Sequence, residues 1–246
     1  MESFITIGTS KLWVSMTGTG LPCILCNGGP GCDDYLAPIA EMLDDMCQTV
    51  RFEPRGCGRS DWDGKYDIDT TVDDIDAIRA HFGFSHIIIG GHSAGPDVAL
   101  AYTIKYPQHV IALFGIAGGR IVNDRDWSAT YRQNLQATGE DLGGNVFTAD
   151  PQVNEIGNRS WREYIKRAHL LADIAAIRCP AIFIGAEKDI RPNWPTQQIA
   201  NALAHGTYVE IKGAAHLIWL THYNELRTVL RQFVLSLTAP THLPSV

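Results

Sequence analysis

The chain has 246 residues, 45% of them hydrophobic, which is enough to bury a full core within one domain. With 20 Lys plus Arg against 27 Asp plus Glu, its net charge of −7 gives no electrostatic reason to attract a polyanion, so nucleic acid is not expected as a partner. The opening residues Met1–Ile5 lack the basic region and apolar run of a signal peptide, and no later stretch approaches the ~20 apolar residues of a membrane span, so a soluble, cytoplasmic protein is expected.

Phe4–Ile7 and Leu12–Met16 read as an initial hairpin, and Cys23–Cys26 as the next strand, leading directly into Asn27-Gly28-Gly29-Pro30-Gly31. Leu36, Ile39, Ala40 and Leu43 recur at three- and four-residue intervals, which predicts a helix with Asp33 or Asp34 as its N-cap. A strand over Gln48–Phe52 ends in Arg55-Gly56-Cys57-Gly58-Arg59-Ser60. Val72, Ile75, Ile78 and Phe82 mark a further helix closed by Gly83. The run Ile87-Ile88-Ile89 is that of a strand buried on both faces, followed by a helix over Pro96–Tyr106 and a strand over Val110–Ile116.

Regular alternation stops there. Gly118–Ala176 carries Trp127, Tyr131, Trp161 and Tyr164 among polar, helical stretches and reads as an inserted helical cap. Alternation resumes with a strand at Ala181–Gly185, a helix at Thr196–Ala204 and a strand at Thr207–Ile211. Leu226, Val229, Leu230 and Phe233 then give the last helix an apolar face, and the tail after Thr238 is expected to be loose. The sum is an α/β protein in one domain: a mostly parallel central sheet of about eight strands, helices on both faces and a small cap.

Five of the six cysteines fall between Cys23 and Cys57, and a chain of this size does not need staples, so they are read as reduced. Cys23 and Cys26 have a C-x-x-C spacing but lie on a strand, whereas a redox motif belongs at a helix start. No second pair and no cluster of His and carboxylates has recognisable ligand spacing, so neither metal nor cofactor is expected.

Chemistry concentrates at strand ends. In Gly91-His92-Ser93-Ala94-Gly95 a serine stands on a sharp turn between a buried strand and a helix, with glycines where side chains would clash. A serine hydroxyl needs a base, a group to orient that base, and donors for the oxyanion. Asp189 and His216 follow the strands ending near Gly185 and Ile211, on the same carboxyl edge as Ser93. His216 would then take the proton from Ser93 and Asp189 would hold the imidazole. His92 competes as base; Glu187, Asp124 and Asp126 compete as acid. For the oxyanion, Ala94 offers the N–H after the nucleophile. Pro30 has none, which leaves Gly29 as the better second donor and Gly28 next.

These features resemble the proline iminopeptidase branch of the α/β-hydrolases, serine peptidases that remove an amino-terminal proline. The resemblance rests on Gly28-Gly29-Pro30-Gly31, Arg55-Gly56-Cys57-Gly58-Arg59-Ser60, the serine turn, Gly185 with Asp189 and Pro192, and Gly213 with His216. It implies the α/β-hydrolase fold and a Ser93-Asp189-His216 triad. Asn27 stands where that branch usually has histidine, and Ala94 where tryptophan often follows the nucleophile. Such peptidases bind the substrate's amino group with cap acids, to which Glu140, Asp141, Asp150 and Glu155 do not align one by one. Arg55 and Arg59 are read as bracing their loop by local pairing with Asp61 and Asp63. Trp127, Trp161 and Tyr164 are candidates to line an acyl pocket.

The expected activity is hydrolysis of a small ester or amide through an acyl-enzyme, on a small-molecule or short-peptide substrate. A proline iminopeptidase-like aminopeptidase, a lactone or carbon–carbon bond hydrolase, and a receptor-like ligand-binding protein on the same scaffold stay open as alternatives.

Overall fold

The computed structural model describes residues 1–140 and 147–238. Asp141 and the tail beyond Thr238 lie outside the described residues. The strands are β1 Glu2–Ile7, β2 Ser10–Thr17, β3 Leu21–Cys26, β4 Cys47–Phe52, β5 Ile87–His92, β6 Val110–Ile116, β7 Ala181–Ala186 and β8 Gly206–Ile211. They form one sheet in the order β1-β2-β4-β3-β5-β6-β7-β8, in which β2 alone runs against its neighbours. Strand order reverses between β3 and β5, the kind of switch point at which α/β sheets open a crevice beyond the strand ends.

Burial on both faces explains why the central strands read as continuous apolar runs. Ile87 and Ile89 enter one core layer with residues of helices α2 (Ile68–His81), α3 (Gly95–Lys105) and α7 (Trp194–Ala202). Ile88 enters the other, beneath α1 (Ala37–Glu41) and α9 (Tyr223–Thr238). A four-residue helix, α8 (Ile218–Thr221), follows the His216 loop and was not read from the sequence.

Between β6 and β7 lie α4 (Arg125–Thr138), α5 (Pro151–Tyr164) and α6 (Leu170–Ala176). Asp124 and Asp150 start the first two by accepting backbone N–H bonds, at 2.8 and 3.1 Å and at 2.9 and 2.9 Å. The third packs against α3 and α7 and places Leu170 and Ile174 in the first core layer.

One expectation is corrected. Helix α1 covers only Ala37–Glu41, and neither Asp33 nor Asp34 caps it, because its N-cap is Leu36 without a side-chain bond. Asp33 instead accepts from the backbone and hydroxyl of Thr148, and Asp34 pairs with Arg51. Both side chains are committed to distant contacts that local periodicity does not register.

Candidate active site

Ser93 has φ +62°, one of two non-glycine residues in the left-handed region among the described residues. The turn holds it there by a Ser93 N–H to Ile116 carbonyl bond of 2.9 Å, between the last residue of β5 and the start of α3. A Cβ at Gly91 or Gly95 would collide with the Cys26 carbonyl at the end of β3. The two glycines therefore let the turn sit tightly against the neighbouring strand, aiming the serine at the switch point.

The loops after β7 and β8 are zipped together. Lys188 N–H donates to the Ala214 carbonyl at 2.8 Å, and Gly213 N–H donates to the Glu187 carboxylate at 2.8 Å. This brings Asp189 Oδ2 to 2.6 Å from His216 Nδ1, with both side chains nearly inaccessible. Burial pushes the Asp189 carboxyl up, but the His216 bond and charge and nearby Arg191 outweigh it and hold the group below the usual carboxylate range. Asp189 is therefore ionised at neutral pH. The hydrogen bonds of His216 run from Nδ1 to Asp189 and from its carbonyl to His92, leaving Nε2 without a partner among the described residues.

The competing acids are occupied elsewhere. Glu187 pairs with Lys212, Asp124 caps α4 and accepts from Trp194 Nε1 at 2.8 Å, and Asp126 is exposed. His92 is fully enclosed and faces away from a role as base toward Ser93. Its Nε2 donates to the His216 carbonyl at 3.0 Å, so Nδ1 is the acceptor and Tyr35 Oη donates to it at 2.8 Å. Tyr35 Oη in turn accepts Gly28 N–H at 2.9 Å. Burial, reinforced by the His216 ring, pushes the His92 imidazole well below the ordinary histidine range, which keeps this tautomer. One buried chain of bonds thus joins the loop after β3 to the loop carrying His216.

Gly28 N–H is consumed by that chain. Gly29 and Ala94 have no backbone hydrogen-bond partner for their N–H among the described residues, and both line a cavity of about 320 Å3 together with Ser93 and Asp189. Trp127 and Trp161 line it as well. Tyr164 does not: it stacks on Trp161 with centroids 5.1 Å apart but faces a separate cleft of about 660 Å3 beside Ile68 and Lys105. His216 and Asp189 share a third, smaller cleft with Arg191 and Glu140.

Arg55 and Arg59 line neither the cavity nor its rim. Arg55 holds Asp74 through two bonds of 2.7 Å and also pairs with Asp63. Arg59 binds Glu53 at 2.7 Å and lies 3.3 Å over the Trp13 ring. Local bracing is their observed role, although Asp61 is not a partner. Of the acids expected in the cap, Glu140 pairs with Arg191, Asp150 caps α5 and Glu155 is exposed.

Sequence reasoning missed Tyr35, Asp97, Arg120 and Arg191. Asp97, in the first turn of α3, is buried at the cavity wall, and burial pushes its carboxyl up to about 7 despite Arg120 nearby. Its place four residues after the nucleophile was the one local signal. None of the six cysteines is in a disulfide, and the described residues hold no cluster of metal-ligand type. No helix among them is long and apolar enough to cross a membrane.

Comparison with known proteins agrees with this architecture. The sequence pattern of the alpha/beta hydrolase fold family matches residues 22–156. A proline iminopeptidase of Saccharolobus solfataricus is 35% identical over 107 residues, 41% of this chain and 34% of the relative. The match thus spans about a third of that relative's length. Among solved structures, an esterase from Thermogutta terrifontis superposes with a TM-score of 0.78 at 20% identity, over 97% of this chain and all of the other. A proline iminopeptidase from Mycobacterium smegmatis gives a TM-score of 0.73 at 18% identity, over 96% of this chain and 98% of the other. Likeness at that identity is a likeness of fold.

Proposed function

Because the chain belongs to the α/β-hydrolase fold family, we propose that it is a serine hydrolase that cleaves small esters or amides through an acyl-enzyme on Ser93. The observation that carries this reading is the buried Asp189–His216 bond of 2.6 Å on the same sheet edge as the strained Ser93 turn.

In this reading the substrate carbonyl enters the cavity over Ser93. His216 Nε2 removes the hydroxyl proton as Oγ attacks, and ionised Asp189 stabilises the imidazolium through Nδ1. The N–H groups of Gly29 and Ala94 receive the oxyanion. His216 then protonates the leaving group, and the same base activates water to release the acid. Every proton is moved by a group of this chain. The segment Gly118–Ala176 serves as the cap, roofing the acyl pocket with Trp127 and Trp161.

The curated relatives favour a second reading, an aminopeptidase acting on short peptides. Against it, none of the cap acids Glu140, Asp150 and Glu155 lines the cavity, and the acids that do, Asp97 and Asp189, are bonded to the Arg120 N–H and to His216.

Labelling with a fluorophosphonate tests the mechanism. Wild type is expected to label, Ser93→Ala not at all, and His216→Ala to react slower by on the order of 10⁴-fold or more. Equal labelling of wild type and Ser93→Ala would falsify the proposal. A panel of short esters, lactones and amino-terminal-proline amides then separates esterase from peptidase. Tight ligand binding without turnover points instead to a receptor.

A further inference from the structure

Two arginines line the cavity over Ser93, and they are not equivalent. Arg191 is committed, paired with Glu140 and 3.4 Å from Asp189. Arg120 has its backbone fixed on both sides. Its N–H donates to Asp97 at 2.8 Å, and its carbonyl accepts Trp161 Nε1 at 2.9 Å.

The Arg120 guanidinium has another fate. It lies over the Trp127 ring, 4.2 Å from the centroid, and forms no hydrogen bond or ion pair with the described residues. Stacking through the face leaves the N–H fork free at the edge, the geometry that grips a carboxylate through two bonds. Asp97, which accepts the Arg120 backbone N–H, does not supply a full countercharge, since burial pushes its carboxyl up to about 7. A partly buried, pre-positioned cation in a ligand cavity is thus left without an anion.

We propose that Arg120 anchors a free carboxylate on the substrate, so that the preferred substrates are half-esters or half-amides of short dicarboxylic acids. The inference rests on the serine hydrolase reading above and narrows it to an anionic substrate class. The cavity volume of about 320 Å3 suits such short acyl chains. Arg55 and Arg59, on the loop after β4, are turned to Asp74, Asp63 and Glu53 and do not line the cavity.

The test compares monomethyl glutarate with methyl glutaramate, its neutral isostere, by following ester cleavage at constant pH. A charge-assisted contact predicts that kcat/KM favours the charged ester by roughly 10- to 100-fold in wild type, mostly through KM. Arg120→Gln should bring that ratio close to 1, and Arg120→Lys should keep part of it. A ratio near 1 in wild type, or an Arg120→Gln variant that slows both esters equally, overturns the inference.

Should Arg120→Gln fail to fold, wild type alone decides. Glutarate should compete with a neutral ester, and less so as ionic strength rises, while glutaramide should not; equal effects of the two overturn the anchor. Fluorophosphonate labelling separates the two levels. Labelled Ser93 with no charge preference sinks only the carboxylate anchor, whereas no labelling sinks the hydrolase itself.

Discussion

Asp97 is a buried acid whose ionisation bears on stability. It is 7% exposed and its carboxyl is pushed up to about 7 by burial, from an ordinary value of 3.8. The folded state therefore holds a proton that the unfolded chain has already released over that interval. Below about pH 4 both states are protonated and the group contributes nothing; as pH rises the unfolded state is favoured, and the cost is complete above about pH 7. The difference of about three pKa units corresponds to an upper bound of roughly 4 kcal/mol. Asp97→Asn retains an acceptor for the Arg120 N–H and cannot ionise. Urea unfolding should show this variant losing less stability than wild type between pH 4 and 8; parallel pH curves would show that Asp97 titrates normally. Its place four residues after Ser93 is the one local signal, and it says nothing of burial. Its burial arises where the first turn of α3 meets the chain following β6, a long-range event.

Elements place the chemistry here through their ends, and this part was largely legible. A strand buried on both faces must be continuously apolar, so Ile87-Ile88-Ile89 fixed β5 and with it the turn at Ser93. The strand ends before Asp189 and His216 were readable for the same reason. What locks those ends together was not: Tyr35 and His92 are 57 residues apart, and His92 and His216 are 124 apart. Asp33 and Asp34 were misread because local capping and distant pairing use the same side-chain type. The Tyr35 relay makes a prediction about the elements it joins. Tyr35→Phe keeps a ring against Phe147 and Trp219 but leaves Gly28 N–H and His92 Nδ1 unpaired. Each stranded group costs about 1–3 kcal/mol, seen as a lower melting temperature. Small displacements of the His216 and Gly29 loops should lower kcat by about 10- to 100-fold with little change in KM. A rise in KM at constant kcat would instead place Tyr35 in substrate binding.

Across the whole molecule, the helices between β6 and β7 are strapped to the site from both sides. At one end Asn154 Nδ2 donates to the Pro30 carbonyl at 2.6 Å, next to Gly29. At the other, α4 is tied to the chain around Asp189. Trp127 Nε1 donates to the Pro192 carbonyl at 3.0 Å, Asn134 Nδ2 to the Ile190 carbonyl at 2.9 Å, and Trp194 Nε1 to Asp124 at 2.8 Å. Helix α4 has no buried residue of its own, so these polar straps replace the apolar packing that holds α3. Its aromatic and polar composition showed that the segment differs from the sheet, but its partners lie beyond any local pattern. Helices held by few apolar contacts open at the low end of local stability. Replacing Trp194 by Phe and Asn134 by Ala removes two straps while leaving Trp127 over the cavity. At about 0.5–1.5 kcal/mol per bond, amides of α4 should exchange roughly tenfold faster, while those of β5 and α3 keep their protection. KM should rise with them, because Arg120 stacks on Trp127 and would lose its platform whenever α4 departs. Unchanged exchange in α4 would mean that the helix is held by Arg120 over the Trp127 ring and Arg191 over the Tyr131 ring rather than by hydrogen bonds to the Asp189 loop.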